Sequence, residues 1–233
     1  MNTKQMLRYF RKKNTNKQYK ISYSQTGEDL IIDFFLNKEK GIYVDIGCND
    51  PVFLNNTYFF YKKGWEGINV DANSKCIEKF NLVRKRDNNI CALVSNSNKS
   101  KKFYIFDPET LSTSSEKQKN LYIKAGYKLK ETKFISCLSL ATLFNQELAD
   151  TEIDFLSLDT EGNEKEILMS NDWKRYLPKF IILETLDYGT KEKNIKKFDS
   201  ILKKYGYIKF ADTFMNTIFI SNQYLKKFKC KII

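Results

Sequence analysis

The sequence predicts an α/β domain built on one mostly parallel β-sheet. Short apolar runs of strand length alternate with amphipathic helical patterns, an order typical of parallel sheets. Several of these runs end at an acidic residue, and the chain finishes in two strand patterns joined by a short turn. With 233 residues, 42% of them hydrophobic and 29% charged, the chain suits one globular domain with a sizeable core.

The bulk properties exclude several classes of protein. No apolar run reaches the roughly 18 residues of a transmembrane helix, and the N-terminus is too polar for a signal peptide, so we expect a cytoplasmic protein. The five cysteines are scattered without a C-x-x-C pair, which predicts neither a disulfide framework nor a zinc site.

Positive charge is concentrated at the two ends of the chain. Residues 1–20 hold seven basic residues and no acid, and residues 222–233 hold four, which leaves residues 21–221 nearly neutral within a net charge of +12. We interpret both ends as basic extensions of a domain spanning 21–221, and this distribution argues against nucleic acid as the partner. The alternative is that the ends contact an anionic membrane face or an acidic glycan.

The first helical pattern begins near residue 26. Thr26 and Asp29 fit a capping pattern, and an apolar face follows at Leu30, Ile31, Phe34 and Phe35. We predict that Gln25 and Glu28 fold over a ligand as a polar cover, and the alternative is a helix start alone.

The first strand, 42–46, ends at an acid and a glycine. Asp45 and Gly47 would lie at the carboxyl edge of the sheet, where open α/β folds bind ligands, and a glycine lets the backbone approach a ligand closely. The G-x-G-x-x-G pattern of dinucleotide sites is missing, since Asn49 and Pro51 stand where further glycines would fall. We therefore predict an adenosyl ligand without phosphates, such as S-adenosylmethionine.

The segment 51–65 connects the first two strands. Its aromatic run predicts a buried helix that ends at Gly64. Asn55-Asn-Thr57 matches a glycosylation sequon, which we interpret as chance in a cytoplasmic chain.

The second strand, 67–71, supplies a second acid for the same edge. Asp71 follows Asp45 by 26 residues, close to the spacing of about 20 from a glycine turn to a ribose-binding acid. We also assign Ala72 and Ser95, which follow the second strand and the third strand (90–94), to the cofactor site.

Residues 96–136 break the alternation. A strand pattern at 103–106 is followed by a polar, charged stretch at 107–120, and structureless segments of this length are usually functional or mobile. We predict that 110–118 forms part of a substrate lid, with a passive surface loop as the alternative.

The fourth strand, 153–158, leads into the richest group of carboxylates, Asp159-Thr-Glu161-Gly-Asn-Glu164. A fifth strand, 180–183, ends at Glu184. Since the chain has no histidine, a general base must come from these acids, and we rank Asp159 first, Glu161 second and Glu184 third.

Two other readings of these acids stay open. Asp159 or Asn163 can cap the helix predicted at 164–169. The carboxylates can also hold a hard divalent cation, although their spacing fits no standard metal loop, so we rank metal below catalysis. Beyond them, a helix at 195–205 closed by Gly206 precedes an antiparallel hairpin of strands 207–211 and 215–220.

These pieces resemble the FkbM family of S-adenosylmethionine-dependent methyltransferases from about residue 23 to residue 220. The matching segments, in order, are Tyr23-Ser-Gln-Thr-Gly-Glu-Asp-Leu30, Val44-Asp-Ile-Gly47, Asn56-Thr57, Gly64-Trp-Glu-Gly67, Ile153-Asp-Phe-Leu156, Asp159-Thr-Glu-Gly162 with Glu164, and Ile182-Leu-Glu184.

The resemblance implies a Rossmann-like class I methyltransferase fold, whose seven-stranded, mostly parallel sheet has an antiparallel last strand. It also implies methyl transfer from S-adenosylmethionine, usually to a hydroxyl of a sugar or polyketide-like acceptor. By the same implication Asp45, Gly47 and Asn49 lie along the methionine part, and Asp71 binds the ribose hydroxyls. The family often has glutamate at the position of Asp71, and 107–136 is not a family signature.

We therefore predict an O-methyltransferase for a sugar or glycan acceptor, in bacterial surface polysaccharide or natural-product biosynthesis. One alternative is a nucleic-acid methyltransferase, but the adenine-methylating type would carry an Asp-Pro-Pro-Tyr-like motif where this chain has Asp159-Thr-Glu-Gly162. The other is a non-catalytic membrane- or glycan-binding module, which leaves the clustered acids unexplained.

Overall fold

A computed structural model describes residues 20–97, 99–149, 151–187 and 192–229. Its centre is a seven-stranded sheet whose strands lie in the order 207–212, 216–221, 180–184, 155–158, 42–46, 66–71 and 88–91, and only the strand 216–221 runs antiparallel to the other six. This confirms the predicted fold class. The predicted basic extension lies outside the described residues up to residue 19.

The elements have the following bounds. The central strands are β1 Ile42–Ile46, β2 Glu66–Asp71, β3 Asn88–Cys91, β8 Phe155–Leu158, β9 Phe180–Glu184, β12 Tyr207–Asp212 and β13 Asn216–Ser221. The short pairs are β4 Leu93–Val94 with β7 Cys137–Leu138, β5 Lys101–Asp107 with β6 Lys128–Ile135, and β10 Leu186–Asp187 with β11 Glu192–Lys193. The helices are α1 Glu28–Leu36, α2 Tyr58–Lys62, α3 Ser74–Val83, α4 Glu116–Lys124, α5 Leu140–Glu147, α6 Glu164–Met169, α7 Ile195–Leu202 and α8 Asn222–Lys229.

The central strands are apolar on both faces because helices cover both sides of the sheet. On one face Val44 and Leu156 pack with Leu143 of α5 and Phe198 of α7. On the other face Tyr43 packs with Ile32 of α1 and Phe60 of α2, together with Phe155 of β8 and Trp65 before β2. These two layers fix the sheet edge that carries the polar residues.

The register of β1 brings the strand ends together. Asp45 lies opposite Asn69 of β2 and Ser157 of β8, so Asp71 and Asp159 follow at the same carboxyl edge. Gly47 turns the chain there with φ of +79°, and a Cβ at this position would lie 1.7 Å from the carbonyl oxygen of Asp159. Glycine is therefore required where the two strand-end loops meet.

Several predicted boundaries are wrong in detail. Helix α1 begins after Gly27 without a side-chain cap, and Asp29 instead accepts hydrogen bonds from the Ser22 hydroxyl (2.6 Å) and the Tyr23 amide (2.7 Å). The third strand ends at Cys91, because the next apolar pair, β4, leaves the main sheet to pair with β7. The fourth strand begins at Phe155, two residues later than predicted.

The insert, residues 101–135, is an ordered layer. Strands β5 and β6 form an antiparallel hairpin, with a 3-10 turn at Glu109–Leu111 and helix α4 between them. Ser115 starts α4 by accepting from the Gln118 amide at 3.2 Å, and Phe106 packs edge-on against Tyr122 with ring centroids 5.6 Å apart. The stretch predicted as a long polar loop therefore contains a helix with its own small apolar core.

The C-terminal part confirms the predicted helix and hairpin. Gly206, with φ of +81°, follows α7 and its short 3-10 extension, and strands β12 and β13 pair as expected. Residues 222–229 of the predicted basic tail form α8, and the ring centroid of its Tyr224 lies 5.6 Å from that of Phe180.

Among the described residues, no helix has the length and apolar character needed to cross a bilayer.

Candidate functional site

A cavity of about 330 Å³ opens at the carboxyl edge of β1, β2 and β8. Nine of the eleven residues predicted for the site line it: Gln25, Asp45, Gly47, Asn49, Asp71, Ala72, Asp159, Glu161 and Glu184. Parallel strands place their carboxyl ends at one edge of a sheet, which predicts that these strand ends meet. The register of β1 with β2 and β8 brings the three carboxyl ends together at that edge.

Ser95 does not line the cavity. Its buried hydroxyl donates to the Glu166 carboxylate at 2.6 Å, and the Lys101 ammonium binds the same carboxylate. Because the chain leaves the main sheet after β3, the residue following 90–94 is carried away from the edge. Ser95 therefore belongs to the Glu166 ion pair, which corrects its assignment to the cofactor site.

Asp71 is held with its carboxylate beside the cavity by two backbone amides. The Asn49 amide donates to it at 3.0 Å and the Asn73 amide at 2.7 Å. Burial raises the pKa of Asp71, and these two hydrogen bonds oppose the rise. The arrangement leaves carboxylate lone pairs for a pair of adjacent hydroxyl groups, as on a ribose.

Asp45 sits on a buried polar network. Its carboxylate accepts from the Asn55 side-chain amide and the Thr57 hydroxyl, each at 3.1 Å. Both residues in turn accept from Arg84, at 2.7 Å and 3.1 Å respectively. Burial raises the pKa of Asp45 to about 6, while the positive charge of Arg84 works against this rise.

The sequence does not predict this network. Asn55-Asn-Thr57 is interpreted as a chance sequon, Asn56-Thr57 enters only through the family resemblance, and no local pattern marks Arg84 as a site residue. A signal for its burial does exist, because Arg84 continues the Cys76 and Phe80 spacing along the buried face of α3. Arg84 is 0% exposed, and its charge lies 3.6 Å from Asp87.

Asp159, Glu161 and Glu184 form one carboxylate cluster, in which one carboxylate oxygen from each residue lies within 4.8 Å of the other two. Burial raises the pKa of Asp159 to about 6, although a hydrogen bond with Glu184 lowers it. Burial, and then the charge of Asp159, raises the pKa of Glu184 well above its ordinary value. The pair therefore holds its shared proton preferentially on Glu184, which donates to the Asp159 carboxylate.

The neighbouring acid, Glu164, has a structural role. One of its oxygens accepts from the Thr160 and Gly162 amides, each at 3.0 Å, and from the Thr160 hydroxyl at 3.1 Å. Asn163 occupies the N-cap position of α6 without a side-chain cap bond, so the capping alternative is wrong for it.

The insert forms one wall of the site. Thr113 donates to the backbone carbonyl of Glu161 at 2.8 Å, and the Tyr122 hydroxyl donates to the Glu161 carboxylate. Glu161 has φ of +54° and Gly162 has φ of +102°, so these bonds hold a loop in a left-handed conformation. The predicted lid segment does reach the cavity, through Thr110, Leu111, Ser112 and Ser114. Tyr122 was missed because nothing local marks a contact 39 residues away.

Gln25 and Glu28 have different roles. Gln25 lines the cavity and accepts from the Asn216 side chain at 3.3 Å. Glu28 does not line it, but accepts from the Thr213 hydroxyl at 2.6 Å and from Asn216 at 2.8 Å. Burial by itself would raise the pKa of Glu28, yet its hydrogen bonds leave it below the ordinary value. Glu28 therefore ties α1 to β13, which corrects its prediction as a ligand cover.

The residues around the cavity fit S-adenosylmethionine. The Asn56 side-chain oxygen is buried, lines the cavity and has no hydrogen-bond partner among the described residues, so it can accept from an ammonium group. Asp71 offers acceptors for ribose hydroxyls, and the absence of a side chain at Gly47 lets the backbone of this turn come close to a ligand. The carboxylates also favour a cationic ligand over a dinucleotide pyrophosphate.

A match to a protein family agrees with this chemistry. A family model described as the methyltransferase FkbM domain matches residues 45–209, which is most of the chain. A curated peptide methionine sulfoxide reductase MsrA/MsrB from Vibrio cholerae is 35% identical over 81 residues, covering 34% of this chain. The chain spans about a fifth of the length of that relative, since the aligned region is 20% of it.

The chain also matches solved structures, at low sequence identity and with TM-scores under 0.5. A TehB-like SAM-dependent methyltransferase from Corynebacterium glutamicum has a TM-score of 0.46 at 10% identity, covering 95% of this chain and 100% of that one. A putative caffeoyl-CoA O-methyltransferase from Staphylococcus aureus scores 0.47 at 11% identity, covering 95% and 93%. An O-methyltransferase from Bacillus cereus in complex with SAH scores 0.44 at 10% identity, covering 93% and 87%.

Proposed function

Because the chain belongs to the FkbM family of S-adenosylmethionine-dependent methyltransferases, we propose that it methylates a hydroxyl oxygen of a sugar or glycan-type acceptor. The observation that carries the proposal is the Asp159–Glu184 pair beside the cavity, in a chain without histidine. An ionised carboxylate with a raised pKa suits removal of a proton from a hydroxyl.

The cofactor would lie along the ends of β1 and β2. Asp45, Asn56 and Gln25 would hold its amino-acid end, Asp71 its ribose, and Gly47 and Asn49 the turn beneath it. When bound, S-adenosylmethionine supplies a methyl carbon made electrophilic by the sulfonium. The chain contributes orientation, which in well-aligned systems lowers a barrier by about 7–11 kcal/mol.

The proton of the acceptor hydroxyl would pass to Asp159. Glu184, protonated, would hold the Asp159 carboxylate in place by donating to it. Tyr122 and Thr113 would keep Glu161 beside the pair. These carboxylates can also accept a divalent cation, and we keep that alternative ranked below the base role.

Activity should depend on pH in one direction. The base must be ionised, so kcat/KM should be constant at neutral pH and fall about tenfold per pH unit below about 6, the pKa to which burial raises Asp159. Initial rates in buffers of constant ionic strength would show this limb. A rate that stays level down to about pH 5 would remove the pair from the base role.

Removal of the Asp71 carboxylate should abolish cofactor-dependent stabilisation. At about 100 times its dissociation constant, S-adenosylhomocysteine should stabilise the wild type by roughly 2.7 kcal/mol, a rise in Tm of a few degrees. We expect no rise for Asp71→Ala, because the ribose hydroxyls lose their acceptor. Glu78→Ala on the exposed side of α3 is the matched control, and NAD should shift neither protein. An unchanged shift in Asp71→Ala would place the ribose elsewhere.

The acceptor class can be tested by turnover. The protein, S-adenosylmethionine and separate sets of sugars, polyphenols and oligonucleotides are incubated, and methylated products are located by mass spectrometry. We expect a methyl ether on a sugar hydroxyl. Methylation confined to oligonucleotides or to phenols would contradict the proposed acceptor while leaving the methyltransferase assignment intact.

A further inference from the structure

A second cavity, of about 130 Å³, adjoins the carboxylate cluster. Glu161 and Glu184 line both this cavity and the larger one. The rest of its wall comes from α4 and its cap Ser115, from Gly162 and Glu164 at the start of α6, from Thr185 and Leu186 after β9, and from Asn194 and α7. The two carboxylates therefore stand between two separate spaces.

The second cavity has a polar floor and a basic rim. On the floor, Glu184 is 7% exposed and Gln118 is 5% exposed. At the rim, Lys117 of α4 and Lys197 of α7 are exposed. Within the described part of the chain neither lysine forms an ion pair, although the Lys197 ammonium lies 5.2 Å from the centre of the Phe198 ring.

We propose that this second cavity is the acceptor subsite, and that the acceptor carries an anionic group, a phosphate or a carboxylate, beside its hydroxylated ring. This inference rests on the proposed function. If the cofactor occupies the first cavity, the second cavity is a further space that borders the same carboxylates, so an acceptor bound there can bring a hydroxyl to them.

Charge gives the acceptor one orientation in the cavity. Hydroxyl groups can donate to Glu184, Glu161 and the Gln118 side-chain oxygen at the floor. An anionic group would be repelled by the carboxylates there and attracted by Lys117 and Lys197 at the rim. The lysines would thus select acceptors by charge, and the floor would select the hydroxyl that reacts.

The test uses the full-length chain with S-adenosylmethionine and matched sets of pyranose sugars. Each ring is offered as a neutral methyl glycoside, as a uronate and as a 1-phosphate, and formation of S-adenosylhomocysteine is followed. The variant is Lys117→Glu with Lys197→Glu, and the control is Lys124→Glu with Lys196→Glu, exposed lysines of the same helices that do not line the cavity. Retention of the thermal shift with S-adenosylhomocysteine shows that a variant is folded and binds the cofactor.

We expect turnover of anionic members at least about tenfold above the neutral glycoside of the same ring, and a loss of about tenfold or more through KM in the double variant alone. Turnover of the 1-phosphates alone or the uronates alone identifies the anion. Equal turnover of neutral glycosides, or a double variant that matches its control, would overturn this inference while the sugar O-methyltransferase proposal stands. If no sugar reacts while S-adenosylhomocysteine still binds, the proposed function fails and the subsite with it.

Discussion

Replacement of Asp159 by asparagine should lower kcat by about 10²–10⁴-fold while S-adenosylhomocysteine binding is retained, because a positioned base contributes about that factor. Asparagine keeps the shape of the side chain and cannot take up a proton. The Asp159 carboxylate lies with Glu161 and Glu184 in the cluster, so loss of turnover alone would not name the base. Variants of Glu161 and Glu184 are therefore needed to show which of the three carboxylates is the base.

Glu161→Gln and Glu184→Gln are the matched companions. A glutamine at 184 can still donate a hydrogen bond to Asp159, as the protonated Glu184 does, so this variant should retain much of the activity. Glu161→Gln should be affected less than Asp159→Asn. Single-turnover rates and S-adenosylhomocysteine titrations measure the two effects separately. If Asp159→Asn turns over normally and Glu161→Gln does not, the base is Glu161.

The same asparagine variant should be more stable than the wild type at neutral pH. The pKa of Asp159 is raised by burial from 3.8 to about 6, so its favourable contribution is complete below about pH 4 and is lost as the pH rises through 6. Removing the charge should therefore raise the free energy of unfolding at pH 7 by about 1–3 kcal/mol. Urea unfolding should show a clearly larger gain at pH 7 than at pH 4.5, because at pH 4.5 only the carboxyl of the unfolded chain is ionised.

Arg84→Met should lower the free energy of unfolding by about 3–5 kcal/mol, the usual cost of removing one partner of a buried ion pair. Arg84 is fully buried, and its guanidinium binds Asn55, Thr57 and the Pro51 carbonyl and lies near Asp87. Without Arg84, the positive charge that opposes the raised pKa of Asp45 is lost. Asn55 and Thr57, which donate to the Asp45 carboxylate, also lose the hydrogen bonds that they accept from Arg84. Cofactor binding should weaken together with stability.

Arg86→Met is the matched control. Arg86 is two residues further along, exposed, and stacked over the Tyr61 ring at 3.9 Å, so its replacement should change stability by only about 0.5 kcal/mol. Urea unfolding of both variants gives the comparison. Equal stabilities for the two variants would show that the buried network does not support the site.

The sequence predicts the acidic residues at the carboxyl edge of the sheet, but not the residues behind them, such as Arg84 and Tyr122, that hold them in position. Asp45, Asp71 and Asp159 end apolar strand runs, and a parallel sheet brings such ends together whatever the remaining contacts are. Ser95 was misplaced because a local pattern does not show that β4 leaves the sheet. Arg84 and Tyr122 act across 27 or more residues, and pairings of that kind arise from tertiary packing.

Strand β13 also determines when the site can form. It lies between β9 and β12, with Asn216 paired to Glu184, and the same asparagine binds Glu28, 188 residues earlier in the chain. The carboxylate cluster therefore takes its final geometry only after β13, which ends at residue 221, has been synthesised and has paired with β9. A nascent chain can pair its parallel strands as they are synthesised, yet it lacks a competent site until β13 has joined the sheet and Asn216 contacts Glu28, and a contact of such large sequence separation forms slowly.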